Sequence, residues 1–144
     1  MQLLKILILS LCLAYTASAD IIKNSDNTLK DTKTNLIWQD TKDVSTIKRT
    51  FKDALSYCEN LELDGKKSWK LPGFMDLFSL VDTKVYNPTI SKEFKFIASD
   101  NYWISKTFGN ASSQEAFVIN FLSGAFNREK MSEEFYVRCY KNSN

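Results

Sequence analysis

The sequence predicts an α+β domain in which two helices come early and a mostly antiparallel sheet of short strands follows. Two segments with helical periodicity precede several short strand-like segments, without the alternation of strands and helices that builds a parallel sheet. The composition is that of a folded domain, because 44% of the residues are hydrophobic and 25% are charged. Neither a repeat nor a linker interrupts the chain, so residues 20–144 are expected to form one domain.

The start of the chain has the pattern of a secretory signal peptide, which is expected to span residues 1–19. Lys5 supplies a positive charge, an apolar run follows, and residues 17–19 read Ala-Ser-Ala, a small-residue cleavage site. The alternative is a membrane anchor, but the run is shorter than the roughly 20 residues that a spanning helix needs. A lipoprotein is disfavoured because the bulky Leu11 precedes Cys12. We therefore expect an exported protein, periplasmic, at the cell surface or secreted, with no membrane span after cleavage.

In the first half of the domain, the sequence predicts two strands and a helix. Residues 20–33 are polar and predict an irregular lead-in with one early strand, and residues 36–38 form an apolar run that predicts another. Residues 50–61 predict the first helix, since Thr50 is a good N-cap and Asp53 follows three residues later. Apolar residues recur on one face of this helix at a helical period, namely Phe51, Ala54, Leu55, Cys58 and Leu61.

The second helix is predicted at residues 73–81. A turn at residues 64–67 and a short extended piece ending at Pro72 precede it. Gly73 is a weak N-cap, but Asp76 stands at the third helical position, where a carboxylate suits the helix N-terminus. The apolar face of this helix would consist of Phe74, Leu77, Phe78 and Val81.

Short strands are predicted in the second half of the chain. Residues 102–104 predict one strand, and residues 116–121 and 125–128 predict a hairpin with Gly124 in its turn. The last strand is predicted at residues 135–140. Its alternation would place Phe135, Val137 and Cys139 on one face and Tyr136, Arg138 and Tyr140 on the other.

The chain contains no histidine, which removes much of the usual catalytic chemistry. A Ser-His or Cys-His nucleophile pair, a histidine general base and a histidine zinc ligand are all excluded. The formal net charge is only +2, and it falls further when Lys5 leaves with the signal peptide. Nucleic-acid-binding proteins usually carry a marked basic excess or a basic stripe, so nucleic acid is not an expected partner.

Two cysteines, Cys58 and Cys139, remain after the expected signal cleavage. Two cysteines in an exported chain most simply form one disulfide, which here would close a loop over most of the domain. The alternative is a pair of free thiols, one of them reactive. Neither cysteine lies in a CxxC motif, which disfavours a catalytic thiol.

Several short motifs occur in a definite order along the chain. They are residues 31–39 (DTKTNLIWQ), 57–61 (YCENL), 69–72 (WKLP), 76–82 (DLFSLVD), 102–106 (YWISK) and 137–139 (VRC). In this order they resemble the Lcl C-terminal domain family, first catalogued as a domain of unknown function. The family pattern runs D-x-x-T-G-L-M-W-Q, Y-C-x-x-L, W-R-L-P, E-L-x-S-L-V-D, Y-W-S-S-T and V-R-C. The resemblance covers roughly residues 29 to 141.

The resemblance implies a C-type-lectin-like or sulfatase-modifying-factor-like fold, in which a cysteine on the first helix bridges to the last strand. It therefore implies a disulfide between Cys58 and Cys139, in agreement with their predicted places on a helix and the final strand. Some positions depart from the family pattern. Asn35 stands at the turn glycine, and Ile104 and Lys106 replace small polar residues. If that last motif lines a ligand site, specificity differs in this protein.

Five motif residues are interpreted as structural. Each tryptophan lies in an apolar run and is expected in the core, with stacking on a sugar as the alternative. The structural motif residues are Trp38, Trp69, Pro72, Trp103 and Arg138.

A calcium site is the option that lectin-like folds suggest. It would need several oxygen ligands clustered in one loop, and the Glu-Pro-Asn and Trp-Asn-Asp signatures are missing. No metal and no cofactor is therefore expected. Side chains with suitable oxygen atoms are nevertheless present at Asp100, Asn101, Asn110, Glu115 and Asn120.

Polar and basic residues near the late loops are the candidate ligand-binding residues. If those loops converge, their cations would bind sulfate or carboxylate groups on a polysaccharide. The alternative is an ordinary solvated surface of mixed charge. A second basic stretch contains Lys66, Lys67 and Lys70. The candidates are Lys106, Asn110, Arg128 and Lys130.

The leading functional hypothesis is a non-enzymatic, exported binding or adhesion module of bacterial type. Resemblance to the family implies a carbohydrate ligand, with sulfated glycan as a candidate. The first alternative is a structural or protein-interaction module of the periplasm or cell envelope, with an envelope or host protein as partner. The second is an enzyme related to the sulfatase-modifying factors, which would require free cysteine thiols.

Overall fold

The computed structural model describes residues 21–110 and 112–144, in which two helices and two antiparallel sheets form. The predicted α+β class with short antiparallel strands is confirmed. The signal peptide predicted at residues 1–19 lies outside the described residues. In chain order the elements are β1 (Ile21–Lys23), β2 (Thr28–Asp31), β3 (Leu36–Gln39), a 3₁₀ turn (Lys42–Ser45), α1 (Phe51–Asn60), α2 (Phe74–Phe78), β4 (Asn101–Phe108), β5 (Glu115–Asn120), β6 (Phe126–Lys130) and β7 (Tyr140–Asn142).

The first sheet has the strand order β1-β2-β3-β7, and all its neighbours are antiparallel. The polar lead-in thus contains two strands, where the sequence predicts one. The second of these strands, β2, ends in a turn that Asp31 forms. Its carboxylate accepts hydrogen bonds from the backbone of Lys33 and the hydroxyl of Thr34, and the chain then continues into β3. Asn35 completes that turn with φ of 60°, a conformation that asparagine tolerates. Trp38 then pairs with Tyr140, which brings the end of the chain to β3.

The second sheet has the order β4-β5-β6 and contains the predicted hairpin. β4 is longer than the predicted strand at residues 102–104 because it continues to Phe108, with a register shift between Trp103 and Thr107. The shift is an irregularity of the β-bulge kind, which hydrophobic periodicity does not reveal. β6 lies at the edge of this sheet.

The two helices form where the sequence predicts them, but the face that each one buries is narrower than predicted. The hydroxyl of Thr50 accepts a hydrogen bond from the backbone N–H of Asp53, as predicted for the cap of α1. Leu55 was expected on the buried face and is instead 40% exposed. α2 ends at Phe78 rather than at residue 81, because Val81 pairs with Ile90 in a β-bridge and leaves the helix.

The prediction of one continuous strand at residues 135–140 is wrong. Phe135 pairs with Arg49 and Tyr136 with Tyr102, whereas the pairing with β3 begins only at Tyr140. Residues 137–139 lie between these pairings and are completely buried. They cross from the second sheet to the first with protein on both sides, so their side chains do not alternate between core and solvent.

Two clusters of buried side chains form the core. One surrounds Trp38 and Leu77, and the other surrounds Trp69 and Trp103 together with the half-cystines. A disulfide joins Cys58 of α1 to Cys139, 81 residues apart, so the predicted bridge is confirmed. It links the first helix to the segment that crosses between the sheets.

The motif residues are core residues. Trp38, Trp69 and Trp103 are at most 2% exposed, and Pro72 is also buried. The indole N–H of Trp69 donates to the backbone oxygen of Lys66, and that of Trp103 donates to the backbone oxygen of Arg49. With both ring faces buried, these tryptophans are not available for stacking on a sugar.

Candidate functional site

The four residues predicted to bind ligand lie on or beside the second sheet, and all are exposed. Lys106 is on β4, Arg128 and Lys130 are on β6, and Asn110 is in the loop between β4 and β5. Arg128 and Lys130 are two residues apart on one strand, so their side chains share a face of the sheet. The sheet thus brings two of the four together.

Two of these candidates are engaged in local interactions. The guanidinium of Arg128 lies 3.5 Å from a carboxylate oxygen of Glu115 and 4.0 Å from the centre of the Phe108 ring. Asn110 turns its side-chain oxygen into its own loop, where it accepts hydrogen bonds from the backbone and hydroxyl of Ser112. A carboxylate beside Arg128 weakens its attraction for an anion, so ligand binding by these four residues stays a prediction.

A second basic site is a cleft of about 240 Å³ beside β7, called here the β7 cleft. Two backbone hydrogen bonds, of 2.9 and 3.0 Å, pair Lys70 with Tyr140 and place the segment before Pro72 next to the last strand. The ring of Tyr140 packs on Trp38 with centroids 5.4 Å apart, which fixes one wall. The cleft is lined by Ser68, Lys70, Tyr140, Lys141, Asn142 and Asn144.

The β7 cleft is cationic and rich in hydrogen-bonding groups. Two lysines line it, and none of its lining side chains carries a carboxylate. The ammonium of Lys141 donates to the backbone oxygen of Lys67 at 2.9 Å, which fixes the position of its charge. Burial, and then Asp76, raises the pKa of Tyr140, so its phenol is neutral at physiological pH. The arrangement suits a ligand with an anionic group and several hydroxyls.

The sequence indicated only part of the β7 cleft. Lys70 lies in the basic stretch noted above, but Lys141 stands far away in the chain. Only the pairing of Lys70 with Tyr140 brings the two together. That pairing involves one isolated pair of residues, for which hydrophobic periodicity carries no signal.

A polar network connects the 3₁₀ turn to α1. The phenol of Tyr57 donates to Asp43 and accepts a 2.7 Å hydrogen bond from the amide of Gln39, while Arg49 stacks on the ring at 3.6 Å. Burial, followed by the hydrogen bond to Asp43, raises the pKa of Tyr57 to about 12. A phenol held neutral so far above physiological pH is a poor proton acceptor, so the network suits structure better than catalysis.

The oxygen-bearing side chains considered for calcium pair with one another and with a lysine. Asp100 lies 2.9 Å from the ammonium of Lys48, and the amide of Asn120 donates to Asn101 at 2.8 Å. Across residues 21–110 and 112–144, no three acidic, histidine or cysteine side chains are grouped as metal ligands. Within the same residues, neither helix has the length and apolar character needed to span a membrane.

The model of the Lcl C-terminal domain family matches residues 27–141 of this chain. The match contains every motif named above, both half-cystines and most of the β7 cleft. No curated protein matches the sequence at a significant level.

Proposed function

This chain belongs to the Lcl C-terminal domain family, and on that premise we propose that it is an exported, non-enzymatic module that binds an anionic glycan. Membership suggests an extracellular or envelope domain, and a disulfide is consistent with an oxidising compartment. Sulfated or carboxylated polysaccharide is the ligand class that the basic surface favours.

The observation that carries this proposal is the β7 cleft. The ammonium groups of Lys70 and Lys141 are donors for a sulfate or carboxylate, and the amides of Asn142 and Asn144 suit sugar hydroxyls. Tyr140 also lines the cleft, and an aromatic ring suits the apolar face of a sugar. At about 240 Å³ the cleft is smaller than typical pockets for drug-sized ligands, which favours a single charged sugar unit at a time.

The absence of enzyme activity is part of the same proposal. No histidine is present, and both cysteines outside the expected signal peptide are joined to each other. A thiol mechanism of the sulfatase-modifying kind would need a free cysteine, which the disulfide does not offer. The raised pKa of Tyr57 supports the same interpretation.

The proposal predicts retention on immobilised heparin, followed by elution in a salt gradient. The double variant Lys70→Gln/Lys141→Gln should bind about tenfold more weakly, since each lysine loses a charge-assisted hydrogen bond. Lys106→Gln/Lys130→Gln is the matched control, because it removes the same charge from the other basic site. The control should elute close to the unchanged protein.

Three results would count against the proposal. A protein that passes through the column at low salt does not bind sulfated glycan. An equal loss in both double variants would indicate attraction by net charge alone. A loss confined to the control variant would move the site to the late loops. Thermal unfolding of each variant checks that the fold is intact, as expected for exposed or half-buried lysines.

A further inference from the structure

A continuous row of phenylalanine rings lies on the face of the second sheet that carries Arg128. Phe74 contacts Phe78 at 5.3 Å and Phe126 at 5.2 Å between ring centroids. Phe117 lies 6.4 Å from Phe126 and 6.2 Å from Phe108. Together with Met75, which stands one helical turn before Phe78 on α2, these rings are called here the aromatic face. It joins α2 to all three strands of the sheet.

The aromatic face is unusually exposed for side chains of this kind. Met75 is 73% exposed, Phe126 is 54%, and Phe108 and Phe78 are 41% and 40%. Single exposed apolar residues are normal, but a contiguous group marks an interaction surface. Removing such area from water is favourable by about 25 cal/mol per Å², so a partner that covers these side chains gains affinity.

Cations border the aromatic face. Arg128 lies against the Phe108 ring, and Lys130 follows on the same side of β6. Glu115 pairs with Lys130 in the sheet register, and its carboxylate lies 3.5 Å from Arg128, so one negative charge faces these two positive ones. Charge complementarity therefore favours an occupant that is apolar and anionic.

Two features of this surface distinguish between possible occupants. A second copy docked about a two-fold axis would bring the same cations of both molecules together, which is unfavourable. Met75 and Phe126 are more than half exposed, whereas a groove for a peptide would enclose its anchors. A lipid surface accepts protruding apolar side chains without a matched shape, and its phosphates accept from arginine and lysine.

We propose that the aromatic face docks this domain on the surface of an anionic phospholipid bilayer. Phe126, Met75 and their neighbours enter the boundary between headgroups and acyl chains, while Arg128 and Lys130 contact the phosphates. The face shares no residue with the β7 cleft, so a glycan and a lipid surface are bound by separate groups.

The test is co-sedimentation of the full chain with vesicles of phosphatidylglycerol and phosphatidylcholine, compared with vesicles of phosphatidylcholine alone. The protein should sediment with the mixed vesicles and about tenfold less with the neutral ones. Phe126→Ser/Met75→Ser should weaken binding to the mixed vesicles at least about tenfold, because two apolar side chains no longer enter the lipid.

The matched control is Ile22→Ser/Ile47→Ser, which removes two exposed apolar side chains outside the aromatic face. It should bind the vesicles as the unchanged protein does. All variants keep residues 1–19, so any contribution of that apolar segment is common to them. Lys70→Gln/Lys141→Gln should also sediment normally, which separates this proposal from glycan binding in the β7 cleft.

The proposal is overturned if the protein does not sediment with the mixed vesicles or if it binds the neutral vesicles equally well. It is also overturned if Phe126→Ser/Met75→Ser binds unchanged, or if the control loses binding to the same extent. A concentration-dependent dimer without lipid that Phe126→Ser abolishes, in a protein that does not bind vesicles, would assign the face to a second copy. Melting temperatures confirm that the variants are folded before any result is interpreted.

Discussion

At the scale of single residues, Arg138 is a charged residue that is buried completely in the core. Its guanidinium is completely buried and donates to the backbone oxygens of Gln39 and Phe96. It also lies 3.3 Å from Asp40, whose carboxylate accepts from the backbone of Phe96. Burial lowers the pKa of the Arg138 guanidinium, and this network offsets the cost of removing its charge from water.

We predict that Arg138→Leu destabilises the protein by about 3–5 kcal/mol, because it leaves Asp40 and two carbonyls without their buried donor. Urea denaturation measures the loss. Arg128→Leu is the control, since that arginine is exposed and its removal should change stability by less than about 1 kcal/mol. Equal losses in the two variants would contradict the role given to the Arg138 network.

The sequence indicated that Arg138 is structural, but it placed the side chain on a sheet face opposite Cys139. The partners of the guanidinium come from segments about forty to one hundred residues away in the chain. A motif can identify such a residue, but it does not identify the backbone oxygens that the residue binds.

At the scale of elements, two glycines permit tight turns for different reasons. Gly65 and Gly124 both have positive φ, of 72° and 76°. A Cβ on Gly65 would meet no atom within 4 Å, whereas one on Gly124 would lie 2.9 Å from the side chain of Val81. The hairpin between β5 and β6 is therefore limited by close packing as well as by backbone conformation.

Alanine substitutions at these two glycines distinguish the cost of backbone strain from the cost of steric overlap. Gly65→Ala should cost about 1–2 kcal/mol, the price of the left-handed conformation for an L-residue. Gly124→Ala should cost about 1–3 kcal/mol more, since Val81 must also move. Thermal or urea unfolding of the two variants measures the difference. A larger loss for Gly65→Ala would show that the turn near Val81 adapts freely.

Elements were predicted well where their signal is local. The first helix carries its own cap and apolar stripe, and the hairpin carries its own turn glycine. The second helix was predicted too long because Val81 pairs with Ile90, which the helix itself does not indicate. The segment at residues 135–140 was predicted as one strand because partners at Arg49, Tyr102 and β3 divide it only in three dimensions.

At the scale of the whole molecule, the disulfide joins the first helix to the end of the chain. Cys58 and Cys139 are fully buried in the cluster that contains Trp69 and Trp103. The bridge closes a loop of 81 residues, which restricts the unfolded chain more than a short loop would. The disulfide therefore stabilises the arrangement in which β7 lies beside Lys70 and the β7 cleft is formed.

We predict that Cys58→Ala/Cys139→Ala loses about 4 kcal/mol of unfolding free energy, the value expected for a loop of this length. Urea denaturation under oxidising conditions measures it. The unchanged protein in a reducing agent is the control and should lose a similar amount. A double variant as stable as the oxidised protein would mean that core packing alone holds the two segments together.

Several properties of this protein follow from the sequence alone. They are the family, the α+β class, the first helix and the pairing of two cysteines. All of them can be inferred from local patterns and from the order of motifs along the chain. The β7 cleft and the aromatic face, in contrast, form only in the tertiary structure. Their residues come from strands and helices distant in the chain, and one-dimensional periodicity does not tell which segments meet.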